Sequence, residues 1–156
     1  MAGFLSTTQQ QEQKGRPFTL NIAGIFLIVV GIFGLIDSYL ILASVIIWGW
    51  LIVGGIGFFT IVSGIALMTD VNWAWSGATS LAIMNLFLGF IELIGAFNYH
   101  YIILGWVGIG QAVGAGTLIL SAISLYLLYR KDARSYYDQF YYDQYYDPYR
   151  DPYRNW

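Results

Sequence analysis

Ala78-Thr79-Ser80-Leu81-Ala82-Ile83-Met84-Asn85-Leu86-Phe87-Leu88-Gly89-Phe90-Ile91-Glu92-Leu93-Ile94-Gly95-Ala96 is the stretch from which the fold can be read. Ala78, Ala82, Asn85, Gly89, Glu92 and Ala96 recur in it at alternating steps of four and three, which puts all six on one face of a helix. The remaining faces carry Leu, Ile, Met and Phe. A helix with one small and polar stripe and apolar flanks turns the stripe toward protein and the flanks toward lipid. Glu92 reads as the acidic residue set deepest within any apolar run.

The composition agrees with that reading. Of 156 residues, 58% are hydrophobic and only 10% are charged, which places the chain outside the soluble globular class. All seven Lys and Arg residues lie outside residues 17–129, and no soluble domain of that size leaves its surface so bare of charge. The first apolar run follows Lys14 and Arg16 as a signal peptide would, but it is too long and lacks a small-residue cleavage site, so a retained helix is expected.

Four spans follow from the hydropathy. The first covers residues 18–36, near the roughly 20 residues that a bilayer core requires, and Asp37 and Ser38 mark its end. After a connection over residues 39–46, a second span takes residues 47–68, with Trp48 and Trp50 at its interface. Residues 69–72 form a tight turn. The third span then runs to Phe97, residues 98–101 break it, and the fourth covers residues 102–129 before Arg130 and Lys131 stop it. The expected fold is therefore all-α: a four-helix transmembrane bundle over residues 17–131, a disordered polar arm over 1–16, and a flexible Tyr-rich tail over 132–156. Both termini carry the basic residues and the connecting loops carry none, so both are expected in the cytoplasm of a multi-pass cell-membrane protein.

Gly31, Ile36, Gly49-Trp50 and Gly54 find counterparts at Gly89, Ile94, Gly105-Trp106 and Gly110, at a nearly constant offset. Such a repeat describes two tandem helical hairpins entering from the same side. Chance in Gly/Ile/Leu-rich sequence yields the same pattern.

Few residues can carry chemistry. With no cysteine and only His100, disulfides, thiol catalysis, iron–sulfur clusters, Cys-type zinc and bis-His haem are excluded. No nucleophile–base set, phosphate loop or metal spacing occurs, so neither enzymatic activity, nor a cofactor, nor a nucleic-acid partner is expected. A carboxylate buried in hydrocarbon costs about 2.5 kcal/mol or more on insertion scales and has to be protonated, paired or wetted. Glu92 is thus expected neutral and hydrogen-bonded, in a polar cluster with Asn85 and Gln111. That cluster can handle protons or cations, or can simply clamp helices together. Gly108, Gly110, Ala112, Gly114 and Gly116 form small rows for close helix approach. Asp37 and Asp70 read as interfacial end-markers.

The tail repeats Tyr-Tyr-Asp at Tyr136-Tyr137, Tyr141-Tyr142 and Tyr145-Tyr146, then Asp-Pro-Tyr-Arg twice. It reads as a segment that contacts partners or lipid headgroups.

Ala23-Gly24-Ile25 leading to Gly31-Ile32-Phe33 and Asp37, then Trp48-Gly49-Trp50, then Trp73-Ala74, resembles a family of small prokaryotic four-helix membrane proteins of unknown function. The resemblance implies the four-helix fold and no activity. The function expected from the sequence is that of a non-enzymatic scaffold or accessory subunit, held by the lipid bilayer beside a membrane-protein partner or in a homo-oligomer. The rival is a small proton, cation or solute transporter or channel that uses Glu92.

Overall fold

The computed structural model describes residues 16–43, 47–94 and 107–145, and all its regular structure there is helical. Four helices are long and apolar enough to cross a membrane: α1 (Phe18–Ala43), α2 (Ile47–Met68), α3 (Ala74–Leu93) and α4 (Val107–Leu128). A fifth, α5 (Lys131–Tyr145), follows α4 after a short break. α1 packs most closely on α2 and α3 on α4, while α1–α4 and α2–α3 contacts close the ring. The result is an up-down-up-down bundle of two hairpins. We call the end where α1 begins and α2 meets α3 the base, and the opposite end the top.

Glycine decides how near the helices of a hairpin stand. A Cβ on Gly31 would lie 2.6 Å from the Gly57 carbonyl oxygen, and one on Gly64 would lie 2.6 Å from that of Gly24. In the second hairpin, a Cβ on Gly89 would meet Leu118 N at 2.7 Å and the Gly114 carbonyl at 2.8 Å. These neighbours are backbone and cannot rotate away. The close approach is the small-residue packing that replaces the hydrophobic driving force between apolar helices.

The outside of the bundle is apolar. Ile32, Ile52, Phe58, Phe59, Phe87, Phe90 and Ile119 are exposed, so the face turned away from the protein is hydrocarbon around its circumference. Leu20, Leu27, Leu67 and Leu128 are fully buried toward the base, beside Ala23, Ala74, Ala78 and the buried side chains of Ser63, Thr79, Ser121 and Ser124. Asn85 and Thr60 are buried near mid-height, and Asp37, Glu92 and Thr117 are buried toward the top.

Two expectations from the sequence are corrected. Asp37 and Ser38 do not end the first helix: α1 continues to Ala43, and both side chains are buried. Backbone hydrogen bonding carries the helix through these two poor helix formers, whose side chains are buried in the bundle, with the Ser38 hydroxyl donating back to the Leu35 carbonyl at 3.1 Å. The segment after residue 131 is not a flexible tail throughout. Residues up to Tyr145 belong to α5 (Lys131–Tyr145), which buries Ala133 and Tyr137 against Leu20, Ala74 and Leu128. Ala133 and Tyr137, four apart on one face, suffice to dock a short amphipathic helix. The arm at residues 1–15 and the segment after Tyr145 lie outside the described residues, as do Ala96, His100 and the connections at residues 44–46 and 95–106.

Gly57→Ala and Gly89→Ala should each destabilise the bundle by about 1–3 kcal/mol through overpacking. A Cβ on Gly55 meets nothing within 4 Å, so Gly55→Ala should be neutral or slightly stabilising. Denaturant titration of the purified protein in mild detergent reads all three.

Candidate functional site

α3 enters the bundle at Trp73, without a side-chain cap, and its stripe then places Ala74, Ala78, Ala82, Asn85, Gly89 and Glu92 inside. The same phase carries α1. Ala23, Val30 and Asp37 stand seven residues apart, and all three are buried. Asp37 is therefore an interior group. Its carboxyl meets that of Glu92 in a side-chain hydrogen bond. A hydrogen bond between two carboxyl groups requires that at least one of them hold a proton.

Asn85 supports the pair from below. Its amide nitrogen donates to Thr60 Oγ1 at 2.8 Å and to the Leu81 carbonyl at 2.8 Å. The Thr60 hydroxyl donates to the Ile56 carbonyl at 2.7 Å and so can only accept from Asn85. Both partners of the Asn85 nitrogen are thus acceptors, which sets the amide orientation. The carbonyl oxygen is what remains for Asn85 to offer elsewhere. Phe33, Gly34, Asp37, Val53, Asn85, Leu88, Glu92, Val113 and Thr117 enclose a cavity with about 10 Å³ available to the centre of a water-sized sphere. That is room for one water molecule and no more.

Gln111 does not join the cluster. The buried row of α4 runs Gly110, Gly114, Thr117, Ser121, Ser124, Leu128, and Gln111 falls one residue off it, on the exposed outer surface. Thr117 occupies the place expected for Gln111. The residues put forward as packing positions separate in the same way. Gly110 and Gly114 are buried, with Gly114 set against Glu92 and Leu93; Gly116 faces Phe33 of α1; Ala112 is exposed. Gly108 lies in the first turn of α4, where the packing is outside the described residues.

The base holds a second polar group, also missed from the sequence. Asp70 ends α2 in the left-handed region (φ 55°), where Val71 N donates back to the Ala66 carbonyl at 3.3 Å. That is the helix-ending geometry usually given to glycine. Asp70 adds a carboxylate that pairs with Arg16 at 3.5 Å, while Arg16 also donates to the Met68 carbonyl. α5 closes over this pair. The Tyr136 hydroxyl donates to Asp70, Thr19 Oγ1 donates to Asp132 at 3.1 Å, and the rings of Trp75 and Tyr129 meet at a tilt of 58° with centroids 5.6 Å apart. Of the tail tyrosines, Tyr136 and Tyr137 are thus engaged with the bundle. Tyr141, Tyr142 and Tyr145 lie on α5 with side chains outside the described residues, and Tyr146 lies beyond it.

No family model, curated protein or solved structure matches the chain. The site is therefore read from its geometry.

Asp37→Val should leave the Glu92 carboxyl buried without its partner and cost roughly 1–3 kcal/mol, whereas Asp37→Val combined with Glu92→Leu should cost clearly less. Denaturant midpoints of the two variants decide it. At the base, burial, reinforced by the Asp70 charge and opposed by Arg16, pushes the Tyr137 hydroxyl up to about 12. The docked state favours neutral Tyr137. Its contribution is complete below the ordinary tyrosine value of 10.0 and is lost as pH rises through about 12, so α5 should loosen in that interval. Tyrosinate absorbance should show a late-titrating hydroxyl that Tyr137→Phe removes.

Proposed function

We propose that the chain is a non-enzymatic, multi-pass membrane protein that binds and releases a proton at the Asp37–Glu92 pair. The observation that carries this reading is the pair itself: two ionisable groups from different hairpins, hydrogen-bonded to each other in the interior. As a helix clamp, Asn and Gln would supply similar hydrogen bonds without the roughly 2.5–3.5 kcal/mol that a charged side chain costs at mid-helix in a membrane. Ionisable groups serve where the proton itself is used. The small size of the cavity suits a proton better than an organic solute among the cargoes considered.

Arg16, Arg130, Lys131 and Arg134 gather at the base, and the described residues of the top carry no Lys or Arg. By the positive-inside bias the base and both termini face the cytoplasm of the cell membrane.

A scaffold or accessory role rests on a different feature. Gly24, Gly31, Gly57, Gly64, Gly89 and Gly114 are consumed by packing within the chain, which removes much of the reason to expect glycine-driven association. What favours a partner is the apolar groove between α2 and α3, where Gly55, Gly77 and Ser80 leave a shallow channel beside Phe59 and Met84. A transmembrane helix with small residues on one face fits it.

Infrared titration of the detergent-solubilised protein tests the proton reading. A carboxyl band should appear and vanish with pH and be lost in both Glu92→Gln and Asp37→Asn. A spectrum in which neither variant removes a titrating band would overturn the assignment.

A further inference from the structure

Where α5 crosses the base, it leaves a pocket against the start of α3. The pocket has a volume of about 180 Å³, against about 10 Å³ for the cavity at the carboxyl pair, and so admits a small organic group. Among the described residues, its lining is Asn72, Trp75 and Ser76 on one side and Arg134, Tyr137 and Asp138 of α5 on the other. The Trp75 indole Nε1 donates to the Leu128 carbonyl at 3.4 Å, and Tyr137 is buried. The aromatic part of the lining is thus held in place.

Its charged part is held loosely. Arg134 and Asp138 stand one helical turn apart, with Nε and Oδ2 separated by 3.8 Å and the side chains 64% and 74% exposed. An exposed pair at that distance contributes little by itself and leaves most guanidinium donors and carboxylate lone pairs available. The Ser76 hydroxyl donates to the Trp73 carbonyl at 3.0 Å, so toward the pocket it can only accept. The lining thus presents donors for an anion at Arg134 and Asn72, and acceptors for an ammonium at Asp138 and Ser76. Its level is that of a membrane interface: α4 ends there at Leu128, α3 begins at Ala74, and the exposed rings of Trp73 and Tyr129 flank it as an aromatic belt would. Above Ser76, at steps of seven, four and three, the same face of α3 carries the exposed side chains of Ile83, Phe87 and Phe90. That row is an apolar track leading away from the pocket into the hydrocarbon.

We infer that the pocket holds the headgroup of a membrane phospholipid that joins a phosphodiester to a primary ammonium, as in phosphatidylethanolamine. Arg134 and Asn72 take the phosphate, Asp138 and Ser76 take the ammonium, and the acyl chains lie along Ile83, Phe87 and Phe90. Because the headgroup bridges α3 and α5, its binding favours the docked position of α5. The inference rests on the membrane reading above and not on the proton site.

The thermal unfolding midpoint of the full chain in an uncharged maltoside detergent tests this. Phosphatidylethanolamine should raise the midpoint in a concentration-dependent way. The rise should exceed that given by phosphatidylglycerol, which has no ammonium, or by phosphatidylcholine, whose ammonium has no N–H to donate. Arg134→Gln should remove the rise, and Asp138→Asn should erase the preference for phosphatidylethanolamine over phosphatidylglycerol. Both side chains are largely exposed, so neither substitution should move the midpoint in detergent alone. Equal rises from the three lipids, a larger rise from phosphatidylglycerol, or no rise at all overturns the inference. So does a rise that survives Arg134→Gln, or a preference that survives Asp138→Asn. Water-soluble phosphoethanolamine that stabilises as well as the lipid at equal concentration overturns the lipid source. A chain recovered from cells in the aqueous fraction without detergent overturns the membrane reading itself, and the lipid site falls with it.

Discussion

Backbone-to-backbone contact is the constraint on which the rest of this structure depends. Where Gly24 meets Gly64, Gly31 meets Gly57 and Gly89 meets Gly114, two helices touch without side chains between them. Helices this apolar gain little from side-chain burial in a lipid surrounding, where closely fitted surfaces hold helices together by dispersion. Larger residues at Gly31 or Gly89 would part the two helices of one hairpin, α1 from α2 or α3 from α4.

The two hairpins use this device in parallel. Gly57 and Thr60 of α2 correspond in spacing to Gly114 and Thr117 of α4, and in both helices a small residue seven beyond the glycine, Gly64 or Ser121, continues the buried row. The Asn85–Thr60 hydrogen bond and the Asp37–Glu92 contact run between hairpins rather than within them. Packing makes each hairpin, and polar chemistry joins the two. Joining is the costlier step, because each buried hydrogen-bonding group has to find its partner across an interface that sterics alone leave loosely specified.

Much of this was legible in the sequence because the α3 stripe has the strict four-three spacing of one helix face, and each of its members up to Glu92 is buried. Asp37 was obscured by its position at the end of a predominantly apolar run of 19 residues, 18–36, where an acidic residue reads as a stop signal. Its seven-residue spacing from Val30 and Ala23 was the signal that it faced inward. Gln111 misled for the opposite reason. Polar type suggested an interior role, while its phase relative to Gly110, Gly114 and Thr117 placed it outside. α5 escaped notice because Tyr, Asp and Gln bury no continuous apolar face. Its docking depends on Ala133 and Tyr137 meeting a surface made by three other segments, and tertiary contact of that kind leaves no local periodicity.

That composite surface bears on how the chain is completed during synthesis. Thr19 comes from the first helix, Asp70 from the turn between hairpins, and Leu128 from the fourth helix, so the seat for Tyr137 exists only once all of them have assembled. Among the described helices α5 is also the last to leave the ribosome. Docking of α5 thus follows assembly of the bundle: until those helices have met, Tyr136 and Tyr137 have no surface to pack against.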